Sequence, residues 1–149
     1  MADTDLIKLY SGRILQLAAD TPLTARLEAP DATVRKRSPL CGSTVTVDVA
    51  VEDGRITGFG QDVKACALGQ ASAAILGQAV IGRTRDEIET ARDQLKAMLE
   101  GTGSVPDVPF DGYEVLVPAR DFRNRHASIM LALEATRDAF IEAERKACA

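Results

Sequence analysis

The clearest strand pattern in the chain runs from Ser43 to Val51, and within it apolar and polar residues alternate strictly from Thr44 to Val49. Four valines fall on one side of this alternation: Val45, Val47, Val49 and Val51. Thr44, Thr46 and Asp48 fall on the other side. A period of two is typical of a half-buried strand. The pattern therefore predicts a central strand with one apolar face and one polar face.

Two further strands flank this one in sequence. Ala32–Ser38 is short and mostly polar, which favours a strand at the edge of a sheet. Asp53-Gly54 is a turn signature, and Ile56–Val63 returns after it as the next strand. The three segments predict an antiparallel meander.

Four stretches carry apolar residues at helical spacing. A helix capped by Thr4-Asp5 runs through Leu17, and Thr84 with Glu87 forms a capping box for another. The stretches are Leu6–Leu17, Cys66–Ile81, Arg85–Leu99 and Ser128–Ala147. A loop is expected over Gly101–Pro109, and a short extended piece over Tyr113–Leu116.

The fold class is therefore α+β. We expect a three-stranded antiparallel meander whose apolar face is covered by an N-terminal helix and several C-terminal helices. With 149 residues, the chain is expected to form one domain, residues 1–149.

Composition excludes several function classes. The net charge is −4 and the pI about 5.0, with the basic residues dispersed, which argues against a nucleic-acid surface. No apolar run approaches the roughly 20 residues of a membrane span. The N-terminus lacks the basic region of a signal peptide, and three cysteines are an odd number. These features favour a cytoplasmic protein with reduced thiols.

Candidate chemistry lies in three residues at predicted element boundaries. Cys41 falls in the turn between the first two strands, Cys66 where a strand gives way to a helix, and His126, the single histidine, before the last helix. Thiolate and imidazole are ligands of zinc and of iron–sulfur centres. A helix N-terminus also favours the thiolate form of a cysteine such as Cys66. We expect the three to meet at one end of the sheet.

Two motifs make the chain recognisable. Pro39-Leu40-Cys41-Gly42, followed by a hairpin and by Ala65-Cys66-Ala67-Leu68-Gly69-Gln70-Ala71-Ser72-Ala73, resembles the U-type iron–sulfur cluster assembly scaffolds. That family comprises the NifU N-terminal domain, IscU and SufU. The resemblance covers roughly residues 5 to 145. The segment between Gly101 and Arg123 looks like the insertion of the SufU branch.

The resemblance implies a ligand set. Cys41 and Cys66 match the first and second family cysteines, whereas Ser43 stands where the family has an aspartate. In one register His126 matches the histidine beside the third cysteine, and in the other it replaces that cysteine. The implied metal and cofactor ligands are therefore Cys41, Cys66 and His126, with a fourth position open. Ser43 and Asp62 are candidates for supporting these ligands, and Asp121 is another carboxylate that could compensate for Ser43.

The implied function is a non-enzymatic scaffold or carrier for iron–sulfur cluster assembly. Its cargo would be iron or a [2Fe–2S] cluster, and its partners a cysteine desulfurase and iron–sulfur acceptor proteins. A cluster normally takes four protein ligands, so a second subunit or an external thiol would complete it. The oligomeric state stays open, with a homo-oligomer among the alternatives.

Two other functions remain open. One is a zinc-dependent sulfur-transfer relay that serves a cysteine desulfurase, as in the SufU type. The other is a degenerate paralogue that acts as an interaction protein.

Each residue also has a purely structural interpretation. Cys66 could be a buried thiol, Cys41 a turn residue, His126 a helix-start residue and Cys148 an exposed terminal thiol. The run Arg35-Lys36-Arg37 is either a solvated strand edge or a contact for an acidic partner.

Overall fold

A computed structural model describes residues 10–39 and 42–148 of the chain. Four α-helices, three strands and one 3₁₀ helix occupy this part. They are α1 (Gly12–Ala19), β1 (Ala32–Arg37), β2 (Thr44–Glu52), β3 (Arg55–Lys64), α2 (Ala67–Ala79), α3 (Arg85–Glu100), the 3₁₀ helix (Asp111–Asp121) and α4 (Arg123–Ala147).

The strands form the predicted antiparallel meander in the order β1-β2-β3. Val47 of β2 lies opposite Val34 of β1 and Gln61 of β3, so the alternating valines share one face. A two-residue turn joins β2 to β3. Asp53 and Gly54 both have positive φ there, 53° and 75°, as a type I′ turn requires. The prediction of an α+β fold built on this meander is confirmed.

Helices cover the valine-bearing face, called the inner face here. α4 packs across β1 and β2, and α2 lies between α4 and α1. The buried cluster beneath them includes Val47, Leu68, Leu76 and Leu133, each fully buried. The predicted capping box of α3 is present. The Glu87 backbone N–H donates to Thr84 Oγ1 at 3.2 Å, and the Thr84 N–H donates to Glu87 Oε1 at 3.1 Å.

The outer face of the sheet is covered in part by the linker before β1. Asp48 projects from β2 into this layer and is fully buried. It accepts hydrogen bonds from the Arg26 guanidinium, the Leu27 N–H and the Thr33 hydroxyl. Gly60 of β3 lets the linker approach, because a Cβ there would collide with the Ala25 carbonyl oxygen. Asp48 thus anchors the linker to the sheet, together with Gln61, whose backbone N–H donates to Leu23 O at 2.8 Å.

Three sequence predictions are wrong in detail. Tyr10 lies in a turn, and Ser11 caps a helix that begins only at Gly12. The Tyr113–Leu116 segment is part of the 3₁₀ helix, because its apolar residues pack onto helices and pair with no strand. The last helix begins at Arg123, five residues before Ser128, on a polar first turn that carries no side-chain cap. The predicted cap at Thr4-Asp5 lies outside the described residues.

Within residues 10–39 and 42–148, no helix combines the length and the apolar character needed to cross a bilayer.

Candidate functional site

Cys66 occupies the N-cap of α2, directly after the last strand. Its backbone is extended (φ −66°, ψ 171°), and its carbonyl accepts the first helical hydrogen bond from Gln70 N–H at 2.9 Å. Its side chain is half-buried and makes no capping hydrogen bond. The sulfur therefore lies at the positive end of a 13-residue helix, and capping does not occupy it.

Ser128 of α4 lies against this thiol. Its hydroxyl oxygen is 3.5 Å from Cys66 Sγ and 3.3 Å from the hydroxyl oxygen of Ser43. Both serines are buried. Three distant segments, the loop before β2, the start of α2 and the second turn of α4, therefore meet in one cluster of hydroxyl and thiol groups.

Gly69 makes this approach possible. It lies three residues after Cys66, on the side of α2 that faces α4. A Cβ at this position would lie 2.6 Å from Ser128 Oγ and 2.8 Å from the Cβ of Ala65. Any larger side chain would push α4 away from α2, and Ser128 with it. Gly69 of the motif is thus a close-packing residue.

His126 lies in the first turn of α4, but its ring is oriented toward the 3₁₀ helix. Its Nε2 lies 2.8 Å from the carbonyl oxygen of Ala119. A carbonyl only accepts, so Nε2 carries the hydrogen and the lone pair of a neutral ring is on Nδ1. The ring also lines an open cavity of about 730 Å³ together with Glu100, Arg120 and Asp121. A backbone carbonyl that holds one ring nitrogen in this way is a common arrangement for metal-ligating histidines.

The other predicted residues occupy different places. Cys41 lies outside the described residues. The described residues that flank it are joined by hydrogen bonds from Ser38 N–H to Ser43 O at 2.8 Å and from Gly42 N–H to Ser38 O at 2.9 Å. Asp62 is exposed on β3 opposite Thr46, on the outer face. Ser128 therefore links Ser43 to Cys66, because its hydroxyl contacts both side chains. Asp62 lies apart from this cluster, on the outer face of the sheet.

Within the described part of the chain, no three His, Cys, Asp or Glu side chains form a group that could hold a metal ion. Among the residues that the structure describes, the polar group beside the Cys66 sulfur is the neutral hydroxyl of Ser128, which in turn contacts that of Ser43. These hydroxyls are compatible with a thiolate that binds a soft metal ion or sulfur. A hard cation would prefer several carboxylate oxygens.

Ser128 is the site residue that sequence reasoning missed. It served there only as the first residue of the last helix. The one available signal was a small polar residue two positions after His126, on a stretch that otherwise becomes apolar. Its contact with Cys66 spans 62 residues of sequence, so local patterns could not reveal it.

Comparisons with known proteins agree with this architecture. The family model of the NifU-like N terminal domain matches residues 9–115. A NifU-like protein (N-terminal) from Brucella abortus is 40% identical, with a TM-score of 0.92, over 95% of this chain and 98% of the other. No curated protein matches the chain significantly.

A more distant structure shares the fold alone. It is described as a putative iron–sulfur cluster assembly scaffold protein for the SUF system from Fervidobacterium islandicum. It is 18% identical, with a TM-score of 0.79, over 90% of this chain and 98% of that protein.

Proposed function

Because the chain belongs to the family of NifU-like N-terminal domains, we propose that it is a scaffold or carrier for iron–sulfur cluster assembly. Cys66 is its central cargo-binding residue. Scaffolds of the NifU, IscU and SufU type are in general not enzymes, and the family assignment supports the same for this chain. A cysteine desulfurase and iron–sulfur acceptor proteins are its proposed partners, and the cytoplasm its proposed location.

The observation that carries this proposal is the setting of Cys66. Its sulfur is half-buried at a helix N-terminus, does not serve as the helix cap and lies beside the Ser128 hydroxyl. Together these features describe a sulfur that a partner can reach at a helix N-terminus, unlike an inert core thiol. A structural cysteine would instead be enclosed by apolar side chains.

Sulfur transfer to Cys66 needs no additional reagent. The Cys66 thiolate attacks the terminal sulfur of a donor persulfide, and a new S–S bond forms on Cys66. The S–S bond of the donor breaks, and the donor leaves as a thiolate. Electrons balance within the exchange, so neither an oxidant nor a reductant is consumed. The Ser128 hydroxyl is placed to donate a hydrogen bond to the sulfur of Cys66.

Iron or a [2Fe–2S] cluster, as cargo, needs more donors than the described residues supply around Cys66. Cys41 and His126 are the proposed additional ligands, with Cys66 as the third. Ser43 replaces a carboxylate in this set, which leaves room for a ligand from a partner or a second copy. An open position is typical of sites that exchange what they bind.

A zinc-dependent relay is the second candidate. It is favoured by the Nε2–H of His126, which is held by Ala119 O and leaves Nδ1 as the available donor atom. Two thiolates and one neutral imidazole, with a fourth position open, form a donor set that Zn²⁺ accepts. In this case the metal would hold the site together while Cys66 exchanges sulfur.

Metal and acid-labile sulfide in anaerobically purified protein distinguish these functions. Iron with sulfide, lost in Cys41→Ser, Cys66→Ser and His126→Ala, supports the cluster scaffold. Zinc without sulfide, lost in the same variants, supports the relay. Cys148→Ser is the matched control, since Cys148 is exposed near the end of α4. If cargo were unchanged in Cys66→Ser, the proposal would fail.

A further inference from the structure

The outer face of the sheet is basic at the end that leads into Cys66. Lys36 of β1 faces inward, where its Nζ lies 2.8 Å from Asp138 of α4. Thr33 faces outward, where its hydroxyl donates to Asp48. Since side chains alternate along a strand, Arg35 and Arg37 share the outer face with Thr33. Both are exposed.

The strand register extends this basic surface across the sheet. Arg37 lies opposite Thr44, and Thr44 lies opposite Lys64 of β3. Residues opposite one another in a ladder project to the same face. We call Arg35, Arg37 and Lys64 the basic row. It crosses three strands, a width of about 10 Å at the usual strand spacing.

The basic row is uncompensated by ion pairs among the described residues. Most other arginines on the surface have carboxylate partners, such as Arg85 with Glu144 and Arg92 with Glu134. Asp62 is an exposed carboxylate on the same face, opposite Thr46. Three cations and one carboxylate give this end of the outer face a local charge of +2, although the whole chain carries −4.

The basic row adjoins the thiol site. Lys64 precedes Cys66 by two residues. An Arg37 guanidinium nitrogen lies 3.9 Å from the position of a Cβ on Gly42, the residue that follows Cys41. A protein that delivers sulfur to Cys66 has to approach this end of the sheet, and it would then face these cations.

We propose that the basic row docks an acidic surface of the protein that donates sulfur to Cys66. This inference rests on the proposed function, which supplies a cysteine desulfurase as the donor. Exposed charges at the rim of an interface mainly raise the association rate and make binding salt-dependent. A nucleic acid is the less suitable partner, because the acidic remainder of the chain would repel a longer polyanion.

The test is a titration of this chain with purified cysteine desulfurase from the same organism at about 50 and 300 mM NaCl. Arg35→Glu with Lys64→Glu reverses two of the three charges of the basic row and keeps Arg37, which lies beside Gly42. We expect the Kd to rise at least about tenfold at the lower salt. The Kd of the wild type should also rise with salt, while that of the variant changes little.

Arg145→Glu with Lys146→Glu is the control with the same change in charge. Both residues are exposed at the far end of α4, about 25 Å along the helix axis from Ser128. We expect their Kd to stay within about twofold of the wild type. Circular dichroism of both variants checks that the fold is kept.

Three results would overturn the inference. The first is that the wild type does not bind the desulfurase. The second is that the Arg35→Glu, Lys64→Glu variant binds the desulfurase as tightly as the wild type does. The third is that the wild type binds a 20-nucleotide single-stranded RNA more tightly than the desulfurase and that the same variant loses this RNA binding. Cys66→Ser separates docking from chemistry, and we expect it to bind like the wild type. A desulfurase that docks through the basic row but leaves Cys66 unmodified would contradict the proposed function alone.

Discussion

The side chains of Asp48, on the outer face of the sheet, and of Cys66, at the start of α2, differ in how many hydrogen bonds they make. Asp48 is fully buried and accepts four hydrogen bonds of 2.6 to 3.1 Å. Cys66 is half-buried, and within residues 10–39 and 42–148 the polar contact of its sulfur is with Ser128, at 3.5 Å. A carboxylate so fully bonded has little capacity to bind anything else, whereas the thiol can accept a new bond. We infer that Asp48 is structural and Cys66 functional.

Asp48 and Cys66 also differ in the charge of the groups around them. Burial by itself would raise the pKa of Asp48, but hydrogen bonds from Arg26, Thr33 and Leu27 together hold that pKa below its usual value. The folded state thus favours ionised Asp48. The hydroxyls of Ser128 and Ser43 carry no charge, so sulfur transfer at Cys66 would break no ion pair among the described residues.

Removal of the Asp48 charge is the largest predicted change. Asp48→Asn should lower the free energy of unfolding by about 2–3 kcal/mol at pH 7, because Arg26 and the Leu27 N–H lose a charged acceptor. The folded pKa is lowered, so this contribution is present above the unfolded pKa and is lost as pH falls through the folded value. Urea unfolding at pH 7 and about pH 3 should show the difference between wild type and variant shrinking in acid.

Asp53→Asn in the exposed β2–β3 turn is the control, because asparagine tolerates positive φ. Its effect should stay within about 0.5 kcal/mol. If Asp48→Asn were as stable as the wild type at pH 7, the structural role inferred for Asp48 would be contradicted. If a folded Asp48→Asn protein no longer accepted sulfur on Cys66, Asp48 would have a functional role as well, which would contradict the distinction between the two residues.

Gly69→Ala is expected to have an intermediate effect. The added methyl would lie 2.6 Å from Ser128 Oγ, so α2 and α4 must separate, which costs about 1–3 kcal/mol. Gly12→Ala is the matched control, since no atom lies within 4 Å of its Cβ position. Thermal unfolding reports the stability of both variants. A Gly69→Ala protein as stable as Gly12→Ala would show that the helices are not in close contact here.

Ser128→Ala should change reactivity more than stability. The loss of one hydrogen bond to the Cys66 sulfur, worth about 1 kcal/mol, should slow iodoacetamide labelling of Cys66 about fivefold. Peptide-resolved mass spectrometry separates Cys66 from the other thiols. Ser72→Ala is the control. Ser72 lies in α2 and is buried like Ser128, but its hydroxyl donates to Ile129 O at 2.6 Å. Equal labelling rates in the two variants would exclude a direct role for Ser128.

Much of the fold could be predicted from local patterns. The valine alternation of β2, the Asp53-Gly54 turn and the Thr84–Glu87 capping box each have a short-range cause, and each is present. The start of α4 could not be predicted, because Phe122 caps it without a side-chain hydrogen bond. Burial of Asp48 also has no local signal, since its partner Arg26 lies 22 residues earlier in the linker.

The candidate site was predictable only in part. The position of Cys66 at the start of a helix could be predicted because its motif is contiguous. Its contact with Ser128 depends on how α4 crosses α2 at Gly69, which is a tertiary feature. The ligand roles of Cys41, Cys66 and His126 stay predictions, as do the supporting roles of Ser43 and Asp62 and the single domain over residues 1–149.

The most direct test of the central claim is the location of sulfur after reaction with a desulfurase and cysteine. Persulfide would be mapped to individual cysteines by mass spectrometry of alkylated peptides in the wild type and in Cys66→Ser. We predict that Cys66 carries the added sulfur in the wild type and that Cys148 stays unmodified in both proteins. Sulfur on Cys148 with none on Cys66, or equal loading of Cys66→Ser and the wild type, would contradict the account.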